Sequence, residues 1–88
     1  MQYDQTQIAA RRKEMIERCS IAQKMIDSAG PTVTLASIDL DGFTFNVTTI
    51  TSCDDLILLL FKRWPDVEQV QIVGGGSMRQ MHIRFRED

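Results

Sequence analysis

The sequence predicts an α+β fold in which a four-stranded, mostly antiparallel sheet carries two helices on one face. Three patterns indicate this fold: a long apolar stripe with a 3.6-residue period near the N-terminus, two segments of alternating residues that each contain a turn signal, and an apolar helix between them. Each hairpin has one apolar face and each helix an apolar stripe, so two packed layers are the simplest way to bury both. The 88 residues are expected to form a single domain, 1–88.

The first helix is predicted over residues 4–29. Its apolar stripe consists of Ile8, Met15, Cys19, Ala22, Ile26 and Ala29. Asp4 is a suitable N-cap, because its carboxylate can accept hydrogen bonds from the first backbone N–H groups. Gly30 and Pro31 predict the end of the helix, since glycine accommodates the left-handed residue after a helix and proline cannot continue it.

A hairpin over residues 32–50 is predicted from Asp41-Gly42, which lies between two alternating runs. This dipeptide is typical of a two-residue type I′ turn, in which both central residues have positive φ. The resulting cross-strand pairs on the core face are Leu40–Phe43, Ile38–Phe45 and Ala36–Val47. Val33 and Leu35 would then lie on the face away from the core.

The second helix is predicted over residues 52–64. Ser52 and Asp55 have the spacing of a capping box, with aspartate in place of the usual glutamate. Residues 56–61 are all apolar, so we expect this helix to be buried on more than one side. Pro65 predicts its end.

A second hairpin is predicted over residues 67–86, with a glycine-rich loop at 74–77. Alternation assigns Val70, Ile72, Met81, Ile83 and Phe85 to the core face, and Gln69, Gln71, Val73, Gln80, His82 and Arg84 to the opposite face. The element order resembles both a β-grasp and a circularly permuted ferredoxin-like sheet. These folds differ in which strand of the first hairpin lies beside the last strand, and the order of elements leaves both open.

Composition and charge limit the classes of function. The formal net charge is −2, which disfavours a nucleic-acid binder that relies on bulk positive charge. The two cysteines fall in helical patterns and are expected to be reduced, buried thiols of a cytoplasmic protein. The longest apolar run, residues 56–61, is too short to span a membrane. The N-terminal residues lack the order of a signal peptide.

No set of residues predicts a catalytic, cofactor or metal site. His82 lies on a face without an orienting carboxylate, and Cys19 and Cys53 follow core-facing stripes. Residues 74–77 join two strands, whereas a phosphate-binding loop leads into a helix, so this segment is expected to be a hairpin tip that could act as a contact loop. Residues 39–42 are too short a segment for a calcium loop.

These observations favour a non-enzymatic protein-interaction module, such as an adaptor or a stoichiometric inhibitor, that acts through a sheet and loop surface. Inhibitors of nucleic-acid-processing machines among small phage proteins are one version of this hypothesis. The expected contact residues are Trp64, Arg79, His82, Arg84, Gln69 and Gln71. The apolar surplus of the second helix, together with Val33, Leu35 and Ile50, predicts a homodimer or partner interface unless the first helix covers it.

Two other hypotheses remain open from the sequence. Nucleic-acid binding would use two local basic groups, Arg11-Arg12-Lys13 and Arg79 with Arg84 and Arg86, although acidic neighbours weaken the first group. An enzyme with Cys53 or His82 at its centre is the weakest hypothesis, because paired titratable groups are scarce.

Overall fold

The computed structural model describes residues 4–29, 33–47, 54–75 and 78–86. The elements are α1 (Gln5–Ala29), β1 (Val33–Ile38), β2 (Gly42–Val47), α2 (Asp54–Arg63), β3 (Val67–Gly75) and β4 (Met78–Phe85). The four strands form one antiparallel sheet in the order β1-β2-β4-β3. The predicted α+β fold is therefore confirmed.

The strand order decides between the two alternatives that the sequence left open. The last strand, β4, lies between β2 and β3 and is antiparallel to both, so β2 and β3 run in the same direction and α2 connects them. This is the order of a circularly permuted ferredoxin-like sheet. A β-grasp would instead place the first strand of the hairpin, β1, beside β4.

Helix α1 begins with a reciprocal cap. The Gln7 backbone N–H donates to Asp4 Oδ1 at 2.8 Å, and the Asp4 backbone N–H donates to Gln7 Oε1 at 3.0 Å. The predicted N-cap is thereby confirmed. The buried side of α1 follows the predicted stripe through Met15, Cys19, Ala22 and Ile26. The helix ends at Ala29, and the predicted stop signals Gly30 and Pro31 lie outside the described residues.

The register of the first hairpin corrects the prediction. The observed pairs are Ile38–Phe43, Ser37–Thr44, Leu35–Phe45, Thr34–Asn46 and Val33–Val47. The pairs expected from a two-residue turn, Leu40–Phe43, Ile38–Phe45 and Ala36–Val47, are wrong. The turn is longer than two residues, and a bulge leaves Ala36 without a cross-strand partner. Val33 consequently lies in the core, whereas Leu35, at the sheet edge, stays exposed.

Gly42 serves the fold in a different way from the one predicted. The Asp39 N–H donates to the Gly42 carbonyl at 2.9 Å, and the Asp41 N–H donates to Asp39 Oδ1 at 2.9 Å. Among the described residues only Gly74 has a positive φ, 96°, so the type I′ turn is wrong. Glycine is needed at position 42 because a Cβ there would overlap the backbone carbonyl oxygen of Ile83 on β4.

The core lies between the sheet and the two helices. It contains side chains from α1, α2 and the helix-facing positions of the strands. Its largest fully buried members are Phe45, Phe85, Met15, Ile26, Leu60, Met81, Ile83 and Val47. Helix α1 packs over β1 and β2 and α2 packs over β3, so both helices cover the same face of the sheet.

Helix α2 is less buried than its sequence predicts. Leu56 and Leu60 face the core, but Leu58, Leu59 and Phe61 are 61%, 43% and 40% exposed. The expectation of burial on more than one side is therefore wrong for a single chain, because neither α1 nor the sheet covers these side chains; Leu59 lines an open groove beside α1. The predicted capping residue Ser52 lies outside the described residues, as does Ile50. No helix in the described ranges is long and apolar enough to cross a membrane.

Candidate functional site

The side of the sheet opposite the helices is polar and is called the outer sheet face. Its side chains belong to Thr34, Ser37, Thr44, Asn46, Gln69, Gln71, Val73, Gln80, His82 and Arg84. Three cross-strand rows run across it: Thr34–Asn46–Gln80–Val73, Ser37–Thr44–His82–Gln71 and Gly42–Arg84–Gln69. Since both helices pack on the other side, this face is open to a partner.

Hydrogen bonds between strands order part of this face. The Thr44 hydroxyl and His82 Nδ1 are 3.1 Å apart, and the Gln80 side-chain amide donates to Asn46 Oδ1 at 3.2 Å. Both contacts join β2 to β4. The ten side chains include one arginine and no carboxylate, although the chain as a whole has a net charge of −2. Arg84 is therefore the one charged side chain within these three rows, and Asp41 and Glu68 line a depression beside it at one end of the face.

Four of the six predicted contact residues share this face. Gln69 and Gln71 lie on the edge strand β3, while His82 and Arg84 lie on the central strand β4. Alternation along the strands was sufficient to find them. Ser37 of the first hairpin was also predicted on the face away from the core, whereas Thr34 was not, because the bulge at Ala36 reverses the alternation of the residues before it.

The other two predicted contact residues lie elsewhere. Arg79 pairs with Val47 of β2 and Gly74 of β3. Its position in the strand alternation places it with the helix-facing residues, at the opposite end of β4 from Arg84. Trp64 is only 6% exposed, and its ring packs edge-on against Phe85 with the centroids 5.8 Å apart. The structure therefore places Trp64 in the core. Its spacing from Leu56 and Leu60 is the sequence signal for that position.

Two of the three arginines of α1, Arg11 and Arg18, are used within the fold. Arg11 Nε donates to the Leu40 carbonyl at 2.8 Å, and one of its terminal nitrogens donates to the Arg86 carbonyl at 3.1 Å. Arg18 pairs with Glu14 at 2.8 Å and with Asp66 at 2.9 Å. Both side chains tie α1 to the ends of strands, which leaves the first basic group less free to bind a polyanion.

His82 and Cys19 are the candidate catalytic residues that lie within the described ranges. His82 contacts a hydroxyl rather than a carboxylate, and no cluster of three or more metal-ligating side chains occurs in these ranges. Cys19 is only 3% exposed, and burial raises the pKa of its thiol because the thiolate is poorly solvated there. Cys53 lies outside the described residues.

We expect Cys19 to resist thiol reagents in the folded protein. A burial-raised pKa and the lack of access both lower the rate at which a thiolate can react. The measurement is the rate of labelling by iodoacetamide at pH 8 in a Cys53→Ser variant, with and without denaturant. Labelling should follow unfolding, and fast labelling of the native protein would contradict the burial.

Comparison with known proteins gave no similarity to interpret: no protein-family model, curated protein or solved structure matches this chain.

Proposed function

We propose that this chain is a non-enzymatic protein-binding module whose outer sheet face binds an acidic surface of a partner protein. The observation that carries the proposal is the charge of this face: Arg84 stands among amide, hydroxyl and imidazole groups, without a carboxylate in any of the three rows. Asp41 and Glu68 line a shallow depression beside Arg84 at one end of the face, and the three rows themselves hold no other charge than this exposed guanidinium. An exposed arginine among neutral polar side chains favours association with a complementary carboxylate.

The chemistry of the face suits a carboxylate-rich partner. The guanidinium of Arg84 can form two parallel hydrogen bonds with one carboxylate. Gln69 and Gln71 add amide groups that both donate and accept. Because these side chains stand on strands rather than loops, little backbone ordering is needed upon binding. An adaptor or stoichiometric inhibitor requires this kind of rigid contact surface and no chemical step.

Nucleic-acid binding is the second hypothesis, and the structure favours it less. Arg11 and Arg18 already bind groups within the fold. The outer sheet face also has no aromatic side chain on which a base could stack. A nucleic-acid backbone bound to this face would contact one arginine, Arg84, and a single cationic contact provides little affinity for a polyanion.

The test reverses one charge at a time. Arg84→Glu should reduce partner capture at least about tenfold, since a lost charge-assisted hydrogen bond is worth roughly 1.5–3 kcal/mol and repulsion adds to it. Arg12→Glu is the matched control, because Arg12 is an exposed arginine on α1, on the helix side of the sheet and not on the outer sheet face. Immobilised wild-type and variant proteins are compared for the proteins each retains from a lysate of the source cells.

Loss of the same retained protein in both variants would assign binding to net charge and contradict the proposed face. A parallel fluorescence-anisotropy titration with single-stranded and duplex oligonucleotides tests the second hypothesis. Tight binding that collapses between about 50 and 200 mM salt and is lost in Arg84→Glu would favour nucleic acid as the ligand. Circular dichroism establishes that each variant is folded.

A further inference from the structure

Strand β3 forms an open edge of the sheet with a regular central part. Residues 69–73 lie between a bulge at its start and Gly74, whose φ of 96° departs from regular strand geometry although Gly74 and Gly75 still pair with β4. An edge strand presents unpaired N–H and C=O groups to another strand. The opposite edge, β1, is interrupted in its middle by the bulge at Ala36. Residues 69–73 contain no proline, charge or bulge that would block pairing.

An apolar flank of α2 lies above this open edge. Leu59 lines a groove with Ile21 and Met25 of α1, so its flank of the helix faces α1. At about 100° per residue, Ile57 and Phe61 lie on the other flank, away from α1. Since α1 covers β1 and β2 while α2 covers β3, this second flank overhangs the β3 edge. Phe61 is 40% exposed there.

We propose that a second copy of this chain occupies the edge, with the two β3 strands antiparallel and a two-fold axis at Gln71. Gln71 is the midpoint of the regular stretch, 69–73. In this register Val70 of each copy lies opposite Ile72 of the other, on the helix side where both are partly buried. Glu68, the charged residue of β3, lies opposite Gly74. No like charges meet across the new strand pair.

The same two-fold axis makes the α2 helices complementary. Two helices related by an axis perpendicular to the sheet run antiparallel, so the N-terminal end of one α2 lies beside the C-terminal end of the other. Asp54 begins the helix, and Lys62 and Arg63 end it. By the same spacing Arg63 lies on the flank of Leu59, so the complementarity is between the oppositely charged ends of the two helices rather than between facing side chains, while Ile57 and Phe61 of the two copies can pack at the centre. Apolar contact between helices and backbone pairing between strands reinforce each other.

The dimer would be a continuous eight-stranded sheet with a doubled outer sheet face. Gln69 and Gln71 would move from its rim to its centre, with one Arg84 on either side. Only this consequence rests on the proposed function, since the dimer follows from the edge and the α2 flank alone. A symmetric partner, or one with two acidic segments, would then gain from binding both halves.

The decisive test is a site-specific crosslink. In a Cys53→Ser background, Gln71→Cys should form a disulfide-linked species near twice 10.1 kDa upon mild oxidation, because the axis brings the two thiols together. Gln69→Cys is the matched control. In the proposed register the two introduced thiols are offset by four residues, about 13 Å along the strand, which is beyond disulfide reach. Equal crosslinking of both variants, or none with Gln71→Cys, overturns the proposed register.

Light scattering over a range of concentrations measures the oligomeric mass of variants on each flank of α2 and shows which flank the dimer needs. Phe61→Glu should convert the dimer to a monomer, whereas Leu59→Glu should leave it dimeric, although the two side chains are similarly exposed at 40% and 43%. A wild-type monomer at all concentrations, or loss of the dimer with Leu59→Glu alone, overturns the proposal. Arg84→Glu should remain dimeric, so a failure of the proposed function is distinguishable from a failure of the dimer.

Discussion

Replacement of Gly42 by alanine is expected to lower the free energy of unfolding by about 3 kcal/mol or more. The new Cβ would overlap the carbonyl oxygen of Ile83, a backbone atom that cannot rotate away. Relief would require β2 and β4 to separate where Gly42 pairs with Arg84 and where the Phe85 N–H donates to the Asp41 carbonyl at 2.7 Å. For a domain of this size, the midpoint of thermal unfolding should fall by at least about 12 °C, as followed by circular dichroism.

Gly75→Ala is the matched control for this prediction. No heavy atom beyond its chain neighbours lies within 4 Å of a Cβ at Gly75, and its φ is not in the left-handed region. We expect a change within about 1 kcal/mol, with a small gain if the alanine chiefly restricts the unfolded chain. Equal destabilisation by both substitutions would show that the close approach to β4 is not the cause.

The role of Gly42 shows what local sequence patterns can and cannot predict. Asp41-Gly42 indicates a reversal of the chain, and the reversal is there. Position 42 requires glycine because of β4, a strand about 40 residues later in the chain. A local sequence pattern contains no information about that contact. The bulge at Ala36 is likewise fixed by pairing within the sheet rather than by an unusual residue. Turn location was therefore predictable, whereas register and turn type were not.

The predictions that held depend on short-range periodicity. The α1 stripe and the alternation in the second hairpin place side chains relative to their own element, so the buried set of α1 and the common face of Gln69, Gln71, His82 and Arg84 followed directly. The strand order depends on which strand of the first hairpin pairs with β4. That pairing is a tertiary contact, which short-range periodicity does not predict. The exposure of α2 depends on how far α1 extends, and helix composition alone overestimated its burial.

Side-chain chemistry was the weakest guide to the candidate site. Trp64 was chosen as an aromatic anchor, yet it lies eight residues after Leu56 and four after Leu60, on the buried stripe of α2. Arg11 looked like part of a basic patch, yet it donates to two backbone carbonyls. Position within a periodic pattern predicted the location of Trp64 better than its residue type did.

The layout of the chain separates the apolar core from the proposed binding face. The apolar contacts that hold the fold together lie between the sheet and the helices, while the outer sheet face contributes polar groups on the other side. Substitutions on that face should therefore change binding with little effect on folding. The converse holds for the helix-facing side, where Phe85 joins several parts of the core.

Phe85→Ala is expected to be among the most destabilising substitutions in the chain, at about 3–5 kcal/mol. Phe85 is buried on β4, and its ring centroid is 5.6 Å from that of Phe43 and 5.8 Å from that of Trp64. The Arg18 guanidinium carbon lies 4.6 Å from the same ring centroid. Removal of the ring leaves a cavity and withdraws a surface on which both a tryptophan and an arginine pack. Urea unfolding followed by the fluorescence of Trp64 measures the loss.

Phe61→Ala provides the matched comparison, since it removes the same side chain from an exposed position on α2. At low micromolar protein we expect a loss below about 1 kcal/mol, because little of the Phe61 ring is withdrawn from water in a single chain. Comparable losses for Phe61→Ala and Phe85→Ala would contradict the assignment of Phe85 to the core. A loss for Phe61→Ala that grows with protein concentration would instead measure the β3-edge dimer, because association stabilises the folded state by mass action.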